Sequence, residues 1–475
     1  MSLSRATAVS LLVAGAFFME NLDGTVIVTA IPAMAQSFGV HPVDLSIGVS
    51  AYILALAVLI PASGWMADRF GARTIFASAI VVFTLASVLC GFSTNLVYFT
   101  AARVLQGIGG AMMVPVGRLV VLRSARKEEI IGAIGLIVWP GLAAPVLGPP
   151  LGGFITTYLS WHWIFFLNVP LGAIALLLAL RLVPQGETVE TPFDWAGFLL
   201  TGIACFAVML GIDLLSRDDP PLGWTALALV GGLAIGALAV WHSRREAHPL
   251  VDLYALRYKT FSVTVWGGTL FRASIGAVPF LLPLLFQIGF GLDPFVSGLL
   301  VLSVFAGNIV MKIFTTGVLN RFGFRRTLVV NGVLNAAAIL ACALITPQTP
   351  VPVIMVLLFI SGLTRSMQFT TIATIAFADV PQERMSGANT LANVVGPMGM
   401  ALGVALAAVA LRIGALLFPA PGPAISLMQF HAAFVLAGLI ALAGVADVIG
   451  LAPGAGDALR KPRQPRPADA PEVVA

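Results

Sequence analysis

Apolar runs of 18 or more residues recur along nearly the whole chain, and this decides most of what it can fold into. In hydrocarbon every backbone N–H and C=O must find its partner within the segment, so runs of this length read as helices. At 59% hydrophobic and 10% charged, the sequence stands far from soluble domains, which are about 25% charged. The expectation is an all-α membrane protein. The first run, residues 6–31, is too long for a signal-peptide core and lacks a small-residue cleavage pattern after it, so it reads as a retained span. Cys90, Cys205 and Cys342 lie in separate apolar runs and read as buried thiols rather than a disulfide framework.

About fourteen spans can be placed. With a cytoplasmic N-terminus, nineteen of the 26 bases fall on cytoplasmic segments, and only Arg217 and Arg412 fall outside. The positive-inside rule therefore puts both termini in the cytoplasm, and it accounts for the basic balance without nucleic acid. Residues 244–260 mix charges with Leu250, Leu253, Tyr254 and Leu256, a pattern that predicts a short amphipathic helix at the cytoplasmic interface. Residues 452–475, rich in Pro, Ala and Arg, read as a disordered cytoplasmic tail.

The chain repeats itself. Asp68-Arg69-Phe70-Gly71-Ala72-Arg73 follows the second span, and Asn320-Arg321-Phe322-Gly323-Phe324-Arg325 follows the tenth. This spacing predicts two six-helix halves with two helices inserted between them. The expected units are residues 1–182, an inserted pair at 183–243, the linker at 244–260, and a second half at 261–451. In this register Glu20 of the first helix corresponds to Arg272 of the ninth.

Five bases remain, and with two acids they sit inside the spans: Glu20, Asp23, Arg103, Arg118, Arg272, Lys312 and Arg365. Each costs about 2.5–3.5 kcal/mol at a helix centre on insertion scales, so they should line a wet cavity or pair with one another. Glu20 and Asp23, three residues apart, share a helical face. A carboxyl whose surroundings alternate between wet and dry, or paired and unpaired, changes its proton affinity, as proton coupling requires. The competing reading is a permanent Asp23–Arg103 structural pair. Arg118, close to a cytoplasmic helix end, reads equally as a snorkelling side chain. Lys312 shares a face with Asn308, Arg365 with Gln368, and Asn389 with Asn393, and these stripes should face the central cavity. With two acids against Arg103, Arg272, Lys312 and Arg365, the cavity would be net positive, which suits an organic anion such as citrate, free or chelating a metal. The histidines have no metal-ligand spacing, and no GxxxxGK[ST] phosphate loop or nucleophile–base pair is present, so neither a metal site nor an enzyme is expected.

Five motifs, in order, carry a resemblance. Leu22-Asp23-Gly24-Thr25-Val26-Ile27 closes at Pro32. Gly64-Trp65-Met66-Ala67-Asp68-Arg69-Phe70-Gly71-Ala72-Arg73 occupies the loop between helices 2 and 3. Arg103-Val104-Leu105-Gln106-Gly107 lies in helix 4. Gly135, Gly148-Pro149 and Gly152-Gly153 mark helix 5, and Trp161-His162-Trp163-Ile164-Phe165 with Asn168 and Pro170 opens helix 6. The chain thus resembles the major facilitator superfamily, specifically its fourteen-helix drug:proton antiporters, the QacA/EmrB-like group. The run from Gly109 to Arg118 looks closest to the MdtD-like branch. Ala144 and Val28 depart from the pattern, where the family usually has Gly and often has Asn.

The resemblance implies the major facilitator fold, two six-helix bundles plus two inserted helices. It also implies a proton-coupled exporter in the bacterial inner membrane, with no cofactor, acting as a monomer on a small-molecule substrate. Arg103 would join Asp23 and Glu20 in proton coupling. Gly64, Asp68, Arg69, Gly71 and Arg73 would latch the cytoplasmic side. Gly135, Gly148, Pro149, Gly152 and Gly153 would form a hinge or tight seam, with the prolines interrupting the helix-5 hydrogen-bond ladder. Arg272, Lys312, Arg365, Asn308, Gln106, Asn389 and Asn393 are the expected cavity residues. Trp161, His162 and Trp163 are expected to form an interfacial belt on the outer side. Reporter fusions at both termini of the expressed protein should give cytoplasmic signals only; an extracytoplasmic signal at either end would overturn the topology.

Overall fold

The computed structural model describes residues 5–124, 130–185, 188, 192–217, 219–246, 249–381, 384–419 and 425–459. Fourteen long helices carry the fold. They are α1 (Arg5–Val26), α2 (Ser46–Phe70), α3 (Ala72–Gly91), α4 (Leu96–Ser124), α5 (Ile130–Tyr158), α6 (Asn168–Leu182), α7 (Trp195–Ser216), α8 (Leu222–Ser243), α9 (Lys259–Leu284), α10 (Pro294–Phe322), α11 (Phe324–Cys342), α12 (Val351–Ile375), α13 (Met385–Leu417) and α14 (Leu427–Ile449). Twelve helical stretches are long and apolar enough to cross a membrane. The other two long helices are α5 and α11; α11 opens with Arg325 and Arg326 and carries Asn331 and Asn335, which dilute its apolarity.

Helices α1–α6 and α9–α14 form two bundles, and the α7–α8 hairpin lies against α2 and α13. The internal repeat is visible in atomic detail. Gly71 and Gly323 both take positive φ, 87° and 75°, where a side chain would be strained. Two residues on, Arg73 donates to the carbonyl of Leu180 at the end of α6, and Arg325 donates to that of Ile449 at the end of α14, at 3.1 Å. Each loop arginine thus caps the last helix of its own half, where unpaired carbonyls and the helix dipole favour a cation.

The two halves meet at one end only. A single apolar core joins the outer ends of both bundles, from Val26–Ile31, Met34 and Phe99 to Leu281–Phe286, Val404 and Phe434. Toward the cytoplasm the core divides. One cluster belongs to the first half, and the remaining two to the second half. The hydrogen bonds from Gln287 Nε2 to Thr29 O (2.9 Å) and from Phe295 N to Thr157 Oγ1 (3.2 Å) cross between halves at the outer end. The structure is therefore closed at the end that holds this shared core and parted at the other.

Helix α5 shows why its glycines are needed. A Cβ at Gly148 would stand 2.2 Å from Thr25 Oγ1, and one at Gly152 would stand 2.2 Å from the carbonyl of Val26. One at Gly153 would stand 2.3 Å from the carbonyl of Pro294, and one at Gly298 2.2 Å from that of Pro149. Only the Gly153 and Gly298 contacts lie between halves; Gly148 and Gly152 seat α5 on α1 of its own half. The helix itself is not broken at the prolines: α5 runs on through Pro140, Pro145, Pro149 and Pro150, each of which lacks the amide hydrogen for a ladder bond. Gly135 lies in α5, and its surroundings lie outside the described residues.

Other expectations change as well. Among the described residues of 244–258 the helical structure is a short 3-10 turn, Leu253–Arg257, capped by Asp252 and burying Ala255, in place of the expected amphipathic helix. Asp194 ties this linker to the inserted pair, accepting from Gly197 N (2.8 Å) and Leu250 N (3.1 Å) and bonding to His242 Nε2 (2.8 Å). Burial opposes its charge, but these partners hold the Asp194 carboxyl below the usual carboxylate range. Trp161 is buried within the protein, stacks on His162 at 3.7 Å and packs edge-on against Phe38, while Trp163 is exposed. Residues 452–459 form turns, with Gly456 against Phe324, and residues 460–475 of the expected tail lie outside the described residues. The three cysteines are free and buried.

Because Gly153 touches backbone rather than a mobile side chain, Gly153→Leu should force the α5–α10 seam apart. A loss of about 1–3 kcal/mol in stability is expected. Cysteines placed across the seam should also cross-link less in this variant, and unchanged cross-linking would contradict the assigned role.

Candidate functional site

The first half holds a buried polar cluster at its centre. Helix α1 presents Glu20 and Asp23 on one face, and α4 presents Arg103 and Gln106. Helix α4 comes close to its neighbours through two glycines. A Cβ at Gly107 would lie 2.6 Å from the carbonyl of Tyr52, and one at Gly109 would lie 2.7 Å from Phe83 N. This approach lets Arg103 reach Asp23.

Arg103 Nη1 donates to Asp23 Oδ2 and to Gln106 Oε1, each at 2.6 Å. Gln106 Nε2 donates to Asp23 Oδ1 and to Ser87 Oγ, each at 2.8 Å, and Asn168 Nδ2 donates to Asp23 Oδ1 at 2.9 Å. Both carboxylate oxygens are thus bonded, and the pair is excluded from solvent. A charge removed from water at this depth needs such a set of donors to persist. The Tyr52 ring lies 4.1 Å below the Arg103 guanidinium. Arg103 Nε and Nη2, Tyr52 Oη and Glu20 Oε2 are buried and have no hydrogen-bond partner. Gln106 therefore belongs to the Asp23 cluster rather than to the substrate cavity. Spacing had not singled out Ser87 or Tyr52. Asn168 stood in the helix-6 motif, which was its only signal.

The second half has a cavity of about 300 Å³, lined by α9, α12 and α13 and the turn after α12. Arg272, Asn389 and Asn393 line it, with Phe369, Phe377 and Met400. Arg272 Nη1 donates to the carbonyl of Thr264 at 2.8 Å. The other expected cavity bases lie elsewhere. Lys312 is exposed and donates to Thr370 Oγ1 at 3.1 Å, and the Arg365 guanidinium stands 5.6 Å from the Phe305 ring. Asn308 does not line the cavity either. Gln368 is buried, bonded to Asn331 and to the carbonyl of Leu328, and so holds α11 to α12. Of the expected positive cluster, this cavity holds Arg272. Arg118 is exposed, with its guanidinium 5.6 Å from the Phe17 ring. Among the described residues, no group of His, Cys, Asp and Glu could hold a metal ion.

In the loop motif, Gly64 ends no close contact, since a Cβ there would meet nothing within 4 Å. Asp68 and Arg69 lie in the last turns of α2, and Arg73 caps α6 as described.

Comparison with known proteins agrees with this architecture. The Major Facilitator Superfamily model matches residues 13–404. Relatives named multidrug resistance protein MdtD include one from Yersinia enterocolitica, 38% identical over 406 residues, 85% of this chain and 86% of the relative. Another, from Cronobacter sakazakii, is 40% identical over 400 residues, 83% and 84% of the two chains. Among solved structures, nucleoside transporter NupG aligns with a TM-score of 0.67 at 13% identity, covering 93% of this chain and 99% of its own. The D-xylose-proton symporter aligns with a TM-score of 0.64 at 13% identity, covering 93% and 97%. At such identity these two bear on the fold alone.

The cluster makes a direct energetic prediction. Arg103→Ala leaves Asp23 buried without its cation and should destabilise the protein by about 3–5 kcal/mol. The Asp23→Asn/Arg103→Gln double variant removes both charges and should recover much of that loss. Thermal unfolding of the purified variants checks this, and equal losses in the single and double variants would contradict it.

Proposed function

Since this chain belongs to the Major Facilitator Superfamily, we propose that it is a proton-coupled exporter of drugs or small amphipathic organic molecules, working by alternating access. The observation that carries the reading is the buried Asp23–Arg103 pair with its Gln106 and Asn168 donors, in a chain 38–40% identical to MdtD relatives. In the inward-parted state Asp23 is engaged on every side. For Asp23 to take up a proton, this network must loosen, and a change in the packing of the halves supplies the occasion. The C-terminal cavity, with two asparagines, an arginine and aromatic walls, suits an amphipathic guest that needs few fixed polar contacts.

The transporter sits in the bacterial inner membrane with both termini in the cytoplasm, acts as a monomer, and needs no cofactor beyond the proton gradient. A charge crossing 100 mV gains about 2.3 kcal/mol, and this is the energy available to export. The organic-anion alternative drew on several bases around one cavity. Arg272 lies on the wall of the C-terminal cavity, and relatives 38–40% identical are named for multidrug resistance, which favours the drug reading over that alternative.

Reconstituted protein should move ethidium against its gradient only when a proton gradient is imposed. Asp23→Asn should fall to background in that assay while keeping its place in the membrane. Gradient-independent transport by the unaltered protein, or full coupled transport by Asp23→Asn, would refute the proposal.

A further inference from the structure

Tyr52 is a buried α2 side chain with its ring against Arg103 and its hydroxyl toward Glu20. Its backbone is pressed against Gly107 of α4, and its ring lies under the Arg103 guanidinium at 4.1 Å. Its hydroxyl is buried and has no hydrogen-bond partner. A Cβ placed on Gly110 would be 3.4 Å from Tyr52 Oη and 3.6 Å from Glu20 Cδ, so the hydroxyl and the carboxyl border the same small gap. Glu20 Oε2 in turn has no partner. Two buried polar groups left unsatisfied beside one another are uncommon in folded proteins, and such a place calls for an explanation.

We propose that Tyr52 is a positioning residue that joins the Asp23–Arg103 pair to Glu20. The inference rests on the proton-coupled reading above and adds a residue to it. The two ends of the side chain do different work. The ring face holds the guanidinium where its Nη1 reaches Asp23, an attraction strengthened by the absence of water. In this state the hydroxyl and Glu20 Oε2 face the gap unbonded, and closing the gap lets the phenol donate to the carboxylate or accept from the carboxylic acid. Glu20 then gains a partner whether or not it carries a proton, and any shift of Arg103 that moves the ring also moves the hydroxyl. Gly110 is what leaves room for this, since a side chain there would enter the gap.

The charges that face Glu20 are few. Asp23 lies on its own helix and Arg118 comes from α4, while Arg103 faces the Tyr52 ring. Helix α2 contributes Tyr52. Helix α5 carries no charged residue, and α6 reaches the cluster with Asn168.

Infrared titration of the full-length protein in lipid vesicles reads Glu20 directly, through the protonated-carboxyl band that Glu20→Gln removes. Tyr52→Phe keeps the ring and deletes the hydroxyl, so it should move the midpoint of that band by about half to one pH unit. In the Glu20→Gln background the same substitution should leave the remaining carboxyl titration unchanged. Tyr52→Leu deletes ring and hydroxyl together and should disturb the Asp23 titration as well. An unmoved Glu20 midpoint in Tyr52→Phe, or the same change with and without Glu20, would overturn the proposal. If Tyr52→Leu does not accumulate in the membrane, the Phe variant decides. Gradient-driven ethidium transport by the unaltered protein reports separately on proton coupling, so a failure there is distinguishable from a failure of the Tyr52 role.

Discussion

Inside a bilayer a buried charge can be held only by other parts of the protein, and the centre of the first half is built around that demand. Asp23 is bonded on both oxygens by Arg103, Gln106 and Asn168. Three helices and the start of a fourth must therefore keep fixed distances: α1 brings Asp23, α4 brings Arg103 and Gln106, α3 brings Ser87, and α6 opens with Asn168. Gly107 and Gly109 permit the close approach of α4 that these bonds require. The cost of leaving either charge unpaired at this depth makes the arrangement stiff, and a mechanism that releases Asp23 has to move helices rather than a side chain alone.

The remainder of the fold supplies a way to move them. The two bundles share an apolar core only at their outer ends, and the α5–α10 seam there is made of backbone against glycine. Such a contact has little side-chain adaptability, so it favours two packed arrangements over a continuum. At the opposite end each half is sealed within itself. The loop arginines Arg73 and Arg325 cap helices of their own half, and Asp194 fastens the inserted pair to the linker. Each half is thus a unit that can rock about the outer contact.

Much of this was legible in the sequence. The positions of fourteen long helices, the two bundles and the inserted pair all followed from apolar run length, charge distribution and the repeated loop. Asp23, Arg103 and the helix-5 glycines were marked by motifs. What was misread shares a physical cause. Lys312, Arg365 and Gln368 were placed toward the cavity by i, i+3 and i, i+4 spacing, which says which residues share a helix face but not where that face points. Trp161 was marked by residue type alone, and its packing against Phe38 was not legible. The prolines of α5 were expected to break its hydrogen-bond ladder, and the helix nonetheless continues through them.

The sequence by itself determined that this chain crosses a membrane many times and which charges had to be sheltered, because hydrocarbon allows no other treatment of those residues. Only the tertiary structure decided which charges meet. Asp23 acquires Arg103 from eighty residues away, Arg272 alone among the second-half bases reaches the cavity wall, and Tyr52, which no motif marked, stands between Glu20 and Arg103. Those outcomes depend on the rotation and close approach of each helix, set by small residues at helix crossings that spacing along one helix does not reveal.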